Sequence, residues 1–125
     1  MKVLEFPKTS NTPWVYLNPE TGVFKMEGRA IPENPGDFFD PILSWLNEYF
    51  RAPAQNTSFD INLDYVNSGS SKYLLGLFRV FKKNYLAGVK LEVNWFFEED
   101  DEAIESLGEH YHSLLSIPFN MKEYI

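Results

Sequence analysis

Residues 57–96 switch between two hydrophobic periodicities, and this switch constrains the fold more than any other feature of the chain. In TSFDINLDYV (57–66) and VKLEVNWF (89–96), apolar and polar residues alternate, which predicts strands with one face exposed to water. Between them, apolar residues recur at helical spacing from about Ser70 to Gly88. A strand, a helix and a strand in this order predict a right-handed parallel βαβ unit.

Further strands and helices are predicted on either side of this unit. They are a hairpin with strands at 14–17 and 23–28, a helix after Asn34 with Pro35 at its first position, a helix over 101–115, and an optional short edge strand over 119–124. The polar face of both central strands predicts helices on one side of the sheet only. We therefore expect an α/β fold of the α+β sandwich type, with a mixed sheet of four or five strands and the order ββαβαβα(β), in a single domain over 1–125.

Composition and net charge exclude or disfavour several classes of function. With 44% hydrophobic and 17% aromatic residues, the chain can bury enough apolar surface to fold. The net charge of −7 disfavours nucleic acid and anionic membranes as partners. The absence of cysteine excludes disulfides, thiolate metal sites and a cysteine nucleophile.

Neither a targeting segment nor a metal site is predicted. The opening MKVLEFPKTS lacks the apolar run of a signal peptide, and no stretch approaches the roughly 20 apolar residues of a membrane span, so we expect a cytoplasmic protein. The acidic run 98–102 is interpreted as the solvated start of a helix, and His110 and His112 lie about 200° apart on a helix. We expect no metal and no cofactor.

The segment NSGSSK (67–72), called the seam below, joins the first strand of the βαβ unit to its helix. Open α/β sheets commonly place their sites at such junctions. A P-loop requires GxxxxGK[ST], whose first glycine is missing here. A nucleophile elbow requires GxSxG and a Ser–Lys acylase requires SxxK, and Val66 and Gly69 break these patterns. We therefore assign no catalytic residue and expect no enzyme activity.

Two interpretations of the seam remain open on the residues alone. Ser68 or Ser70 can accept a hydrogen bond from a free amide at the helix start, and Gly69 permits a turn, so the seam can be an ordinary helix cap. Alternatively, a seam serine receives a phosphate. The free amides and the positive end of the helix dipole favour an anion there, and Lys72 would compensate its charge.

Segments along almost the whole chain resemble the SiaC-type regulatory phosphoproteins, a bacterial family with a STAS-like fold similar to anti-sigma-factor antagonists. The matching segments, in order, are TPWVYLNPETG, GRAIPENPGDFFDPILSWLNEYF, DYVNSGSSKYLL, VNWFFEEDDE and the closing IPF. At the seam the commoner family pattern is Asn-Thr-Ser-Ser, so Ser68 and Gly69 depart from it. Serine in place of threonine at position 68 keeps the side-chain hydroxyl.

This resemblance implies a non-enzymatic switch in cyclic-di-GMP and biofilm signalling. A Ser/Thr kinase phosphorylates such a protein, a PP2C-type phosphatase reverses the reaction, and one state binds and activates a diguanylate cyclase or another target. The phosphoacceptor implied is Ser68, the hydroxyl residue directly after the asparagine, with Ser70 and Ser71 as alternatives.

A partner that docks over the helix start would contact residues on both sides of the acceptor. The candidates are Asn67, Gly69, Lys72 and Tyr65. A second hypothesis, motivated by the aromatic content, is a STAS-like module that binds a small molecule and is not phosphorylated.

Overall fold

One mixed sheet organises the computed structural model, which describes all 125 residues. Its elements are β1 (Leu4–Phe6), β2 (Trp14–Leu17), β3 (Val23–Ala30), α1 (Pro35–Tyr49), β4 (Thr57–Val66), α2 (Ser68–Leu86), β5 (Leu91–Glu98), α3 (Glu102–Leu115) and β6 (Phe119–Tyr124). The six strands lie side by side in chain order. β1, β2 and β3 are antiparallel, whereas β3 to β6 are parallel with one helix in each connection. The predicted α/β class, hairpin, βαβ unit and final edge strand are confirmed.

The sheet has six strands instead of the predicted four or five, because β1 was missed. β1 has three residues, which is too short for a readable alternation. Tertiary contacts hold it at the sheet edge. Phe6 packs on Phe38 of α1 with ring centres 5.8 Å apart, and Trp45 Nε1 donates a hydrogen bond to the Lys2 carbonyl at 3.0 Å.

All three helices pack on one face of the sheet, as predicted from the one-sided polarity of the strands. The contacts between ring centres are Phe24 with Trp45 of α1 at 5.3 Å, Phe59 with Phe81 of α2 at 5.5 Å, and Trp95 with Tyr111 of α3 at 5.5 Å. These strand residues project from the same side of the pleat and are fully buried. The aromatic residues therefore form a continuous core between sheet and helices.

The opposite side of the sheet, called the open face below, carries a chain of side-chain hydrogen bonds. Asn94 Nδ2 donates to Asp60 Oδ1 at 2.8 Å, and Asn120 Nδ2 donates to Asn94 Oδ1 at 2.9 Å. Tyr124 OH donates to Asn62 Oδ1 at 3.0 Å. Asp60, Asn62 and Asn94, three polar residues of the two predicted strands, therefore bond to side chains across three parallel strands.

A β-bulge at the end of β4 corrects the expected orientation of one residue. Leu63 pairs with Gly28 and Tyr65 pairs with Arg29, so Asp64 has no partner residue on β3. Simple alternation places Tyr65 on the helix-covered side. The extra residue instead shifts it outward, and its side chain is 59% exposed.

A glycine in α3 creates the space in which the largest core side chain lies. Trp95 is fully buried, and its Nε1 donates to the Ile104 carbonyl at 2.9 Å. A Cβ atom at Gly108 would overlap the indole at Cδ1 and Nε1. The close packing of α3 on β5 therefore depends on this glycine.

We expect Gly108→Ala to lower the free energy of unfolding by about 1–3 kcal/mol, because α3 must move away from Trp95. Gly76→Ala is the matched control. Gly76 is also helical, and apart from its own helix backbone and chain neighbours no group lies within 4 Å of the point that a Cβ would occupy, so alanine there should raise stability by about 1 kcal/mol. Urea denaturation of both variants tests this, and equal changes would contradict it.

Candidate functional site at the start of α2

Asn67 links β4 to α2 and caps the helix. Its Oδ1 accepts from the Ser70 amide at 2.9 Å, and its Nδ2 donates to the Pro32 carbonyl at 3.0 Å. The helix begins at Ser68, two residues before the predicted start. The expected cap by Ser68 or Ser70 is therefore wrong, because the asparagine side chain already occupies the capping position.

The three seam serines lie in three different environments. Ser68 is exposed to solvent to a substantial degree, and its hydroxyl makes no hydrogen bond within the chain. Ser70 is completely buried, and its Oγ has no hydrogen-bond partner. Ser71 is half-buried and its Oγ donates to the Ser68 carbonyl at 2.8 Å. This difference follows from helical spacing, because residues two apart point to nearly opposite sides.

Gly69 lies inside the first turn of α2 and not in a turn before it, which corrects the expectation that it permits a turn. A Cβ atom at this position would lie 2.7 Å from Cγ of Pro35, the first residue of α1. The starts of the two helices therefore touch at this point. Nothing in the local sequence indicates this contact, since Pro35 belongs to an earlier part of the chain.

The exposed side of the first turns of α2 has the chemistry of an anion site. The Asn67 side chain accepts a hydrogen bond from the Ser70 amide, and the Asn67 carbonyl accepts one from the Ser71 amide. The amides of Ser68 and Gly69 have no partner within the helix. Lys72 is exposed, four residues after Ser68, so both side chains lie on one helix face. The helix dipole adds positive potential at this end.

Tyr111 of α3 holds the first turn of α2 from the other side, a contact that no sequence pattern indicates. Its hydroxyl donates to the Ser71 carbonyl at 2.7 Å. Tyrosine is protonated at neutral pH, so this phenol is a donor, and burial raises the pKa of Tyr111 further above its ordinary value. The helix start is thus fixed by contacts from α1, α3 and the Pro32 segment.

Tyr65 lies in β4, before the seam, and its ring contacts Arg29 of β3. The Arg29 guanidinium carbon is 5.4 Å from the centre of the Tyr65 ring, which is a cation–π distance. Of the predicted contact residues, the structure places Lys72 next to Ser68 on one helix face and Asn67 and Gly69 in the framework beneath them. Tyr65 is the exposed aromatic group nearest in sequence.

Other site types have little support in this structure. No group of three or more His, Cys, Asp or Glu side chains is arranged to hold a metal ion. None of the three helices combines the length and hydropathy required to cross a bilayer.

The chain belongs to the SiaC family: the sequence model described as "SiaC family regulatory phosphoprotein" matches residues 6–124. The family predicted from the sequence segments is thereby confirmed.

Particular relatives come from Pseudomonas aeruginosa. Apo-SiaC superposes with a TM-score of 0.90 at 23% identity, covering 98% of this chain and 99% of that one. SiaC in complex with the diguanylate cyclase SiaD, which it activates, gives a TM-score of 0.91 at 22% identity, covering 97% and 99%. An uncharacterized protein of the same species is 23% identical over 124 residues, which are 99% of this chain and 98% of that protein.

We expect Asn67→Ala to lower the free energy of unfolding by about 0.5–2 kcal/mol, because the helix cap is lost. The neighbouring Ser68→Ala should change it by less than about 0.5 kcal/mol, since the Ser68 hydroxyl is unbonded. Urea denaturation monitored by circular dichroism measures both values. A loss for Ser68→Ala as large as for Asn67→Ala would show that Ser68 is part of the cap.

Proposed function

We propose that this chain is a regulatory protein whose binding to a partner protein is switched by phosphorylation of Ser68. The observation that carries the proposal is that Ser68 alone among the seam serines has an accessible, unbonded hydroxyl. Ser70 is out of reach of a kinase in the folded protein, and the Ser71 hydroxyl is engaged with the backbone. A Ser/Thr kinase and a PP2C-type phosphatase are the enzymes such a switch requires.

A phosphate on Ser68 would be held where the chain already favours an anion. The group carries about −1.5 to −2 charge at pH 7. The free amides of Ser68 and Gly69, the helix dipole and the Lys72 ammonium all favour that charge. Because α2 is fixed by Asn67 and by the aromatic core, the modification should change the surface and leave the fold intact.

The partner proposed here is a diguanylate cyclase, which would link the chain to cyclic-di-GMP signalling. Support comes from the related SiaC, which binds and activates SiaD, and from the matching fold over nearly the whole chain. A partner docked over the seam would have to remove water from a doubly charged group after phosphorylation. Unphosphorylated protein is therefore the form that binds the cyclase.

The small-molecule-binding alternative has less support. Most of the large aromatic residues that motivated it pack into the core between sheet and helices. The surface depressions of about 500, 580 and 660 Å³ are open to solvent and are not enclosed cavities. The aromatic content is thus used for stability, and the exposed seam is left as the functional surface.

We expect Ser68→Ala to abolish phosphorylation by the cognate kinase, whereas Ser71→Ala should be phosphorylated like the wild type. Intact-mass spectrometry after incubation with kinase and ATP detects the single added phosphate. Ser71→Ala is the matched control because it removes the neighbouring hydroxyl from the same turn. Persistent phosphorylation of Ser68→Ala would reassign the acceptor.

We expect Ser68→Asp to weaken binding to the cyclase by at least about tenfold, equivalent to about 1.4 kcal/mol. The added carboxylate must lose water when the partner covers the helix start. The circular dichroism spectrum should be unchanged, because Ser68 contributes nothing to the core. Calorimetric titration of wild type, Ser68→Asp and Ser68→Asn measures this. Equal affinities of wild type and Ser68→Asp would show that the seam is not part of the interface. An equal loss of affinity in Ser68→Asn would show that the size of the side chain, and not its charge, weakens binding.

A further inference from the structure

A surface groove of about 500 Å³ lies between the end of β4 and the first turns of α3. We call it the acidic groove. Its apolar wall is formed by Val66, Ile104 and Leu107, and its carboxylates belong to Asp64, Glu98 and Asp101. The groove starts two residues before Ser68, so it adjoins the site of the proposed switch.

Two local features create the groove. The bulge in β4 leaves Asp64, which is exposed, without a partner on β3. Asp101 caps α3, its Oδ1 accepting from the Ile104 amide at 3.0 Å, which fixes one carboxylate in place. Asp64 and Glu98 are exposed, so their charges face solvent.

The charge of the groove is unbalanced. Arg29 is the only cation among its lining residues, and its guanidinium lies over the Tyr65 ring. The excess negative charge also acts on the neighbouring Tyr124. Burial raises the pKa of its phenol, the charges of Glu98, Asp64 and Asp101 raise it further, and the hydrogen bond with Asn62 lowers it. The three carboxylates therefore act together on one small region.

We propose that the acidic groove receives a lysine or arginine side chain of the partner protein. The proposal rests on the proposed function, in which that partner is the diguanylate cyclase. The aliphatic part of such a side chain would pack on Val66, Ile104 and Leu107, and its charged end would reach Asp64 and Glu98. When the partner covers the groove, an uncharged or acidic side chain would leave the negative charge of the carboxylates unpaired. Charge complementarity therefore favours a positively charged side chain.

The groove and the seam act on binding in different ways. The groove attracts a cation, and this attraction is weakened by salt because Asp64 and Glu98 are exposed. A phosphate on Ser68 would not repel that cation, and it opposes binding through the loss of its own water shell. Salt dependence therefore distinguishes the contribution of the groove from that of the seam.

The test compares two double variants with the same change in net charge. Asp64→Asn with Glu98→Gln removes charge from the groove, and Asp100→Asn with Glu99→Gln removes the same charge from exposed acids outside its lining. We expect the groove variant to bind the purified cyclase at least about tenfold more weakly at low salt, and the control less than about twofold. The affinity of the groove variant should also fall less steeply as salt is raised.

Binding of the cyclase to the wild type and to both double variants is measured by calorimetric titration, and each outcome decides one of the two proposals. If the wild type does not bind the cyclase, the proposed function fails and the role of the groove falls with it. If the wild type binds and the groove variant matches the control at every salt concentration, the groove proposal alone is overturned. Urea denaturation of both variants checks that folding is equal.

Discussion

The two hydrogen bonds of the Asn67 side chain determine the geometry of the site. One caps α2 and the other ties the helix start to the Pro32 carbonyl in the segment after β3. Because both ends of the amide are used, the backbone leaves β4 and enters the helix in one conformation. The position of Ser68 on the surface, and of the amides beside it, follows from that conformation.

The candidate site is built on a rigid support, so the proposed phosphorylation of Ser68 would act at the surface and not through the fold. Phe59, Phe78 and Trp95 belong to one aromatic core in contact with α2 and α3. Moving α2 would expose that core, at a cost far above what one phosphate can supply. The proposed change of charge and hydration at Ser68 would leave the core undisturbed and would still alter the surface that a partner contacts.

Placing all helices on one side gives the chain a second surface. The open face satisfies its own polar groups, as in the contact between Asn94 and Asp60, and needs no cover. At the end of β4, the bulge directs Tyr65 outward next to the exposed Asp64, and the open face meets the groove at the start of α3 there. The seam and the groove thus form neighbouring parts of one accessible region.

The class of fold, and the junction that carries the candidate site, could be predicted from the order of the residues alone. Periodicity is a local property, so the alternation in 57–66, the helical stripe of α2 and the junction at Asn67-Ser68 can be read from neighbouring residues. Features that depend on distant partners came only from the folded chain. β1 is held at the sheet edge by contacts with Phe38 and Trp45. The register between β3 and β4 turns Tyr65 outward. Pro35 lies against position 69 and leaves room there only for glycine. The three serines also differ only in the folded chain, since burial depends on what packs against a helix face and not on the residue type.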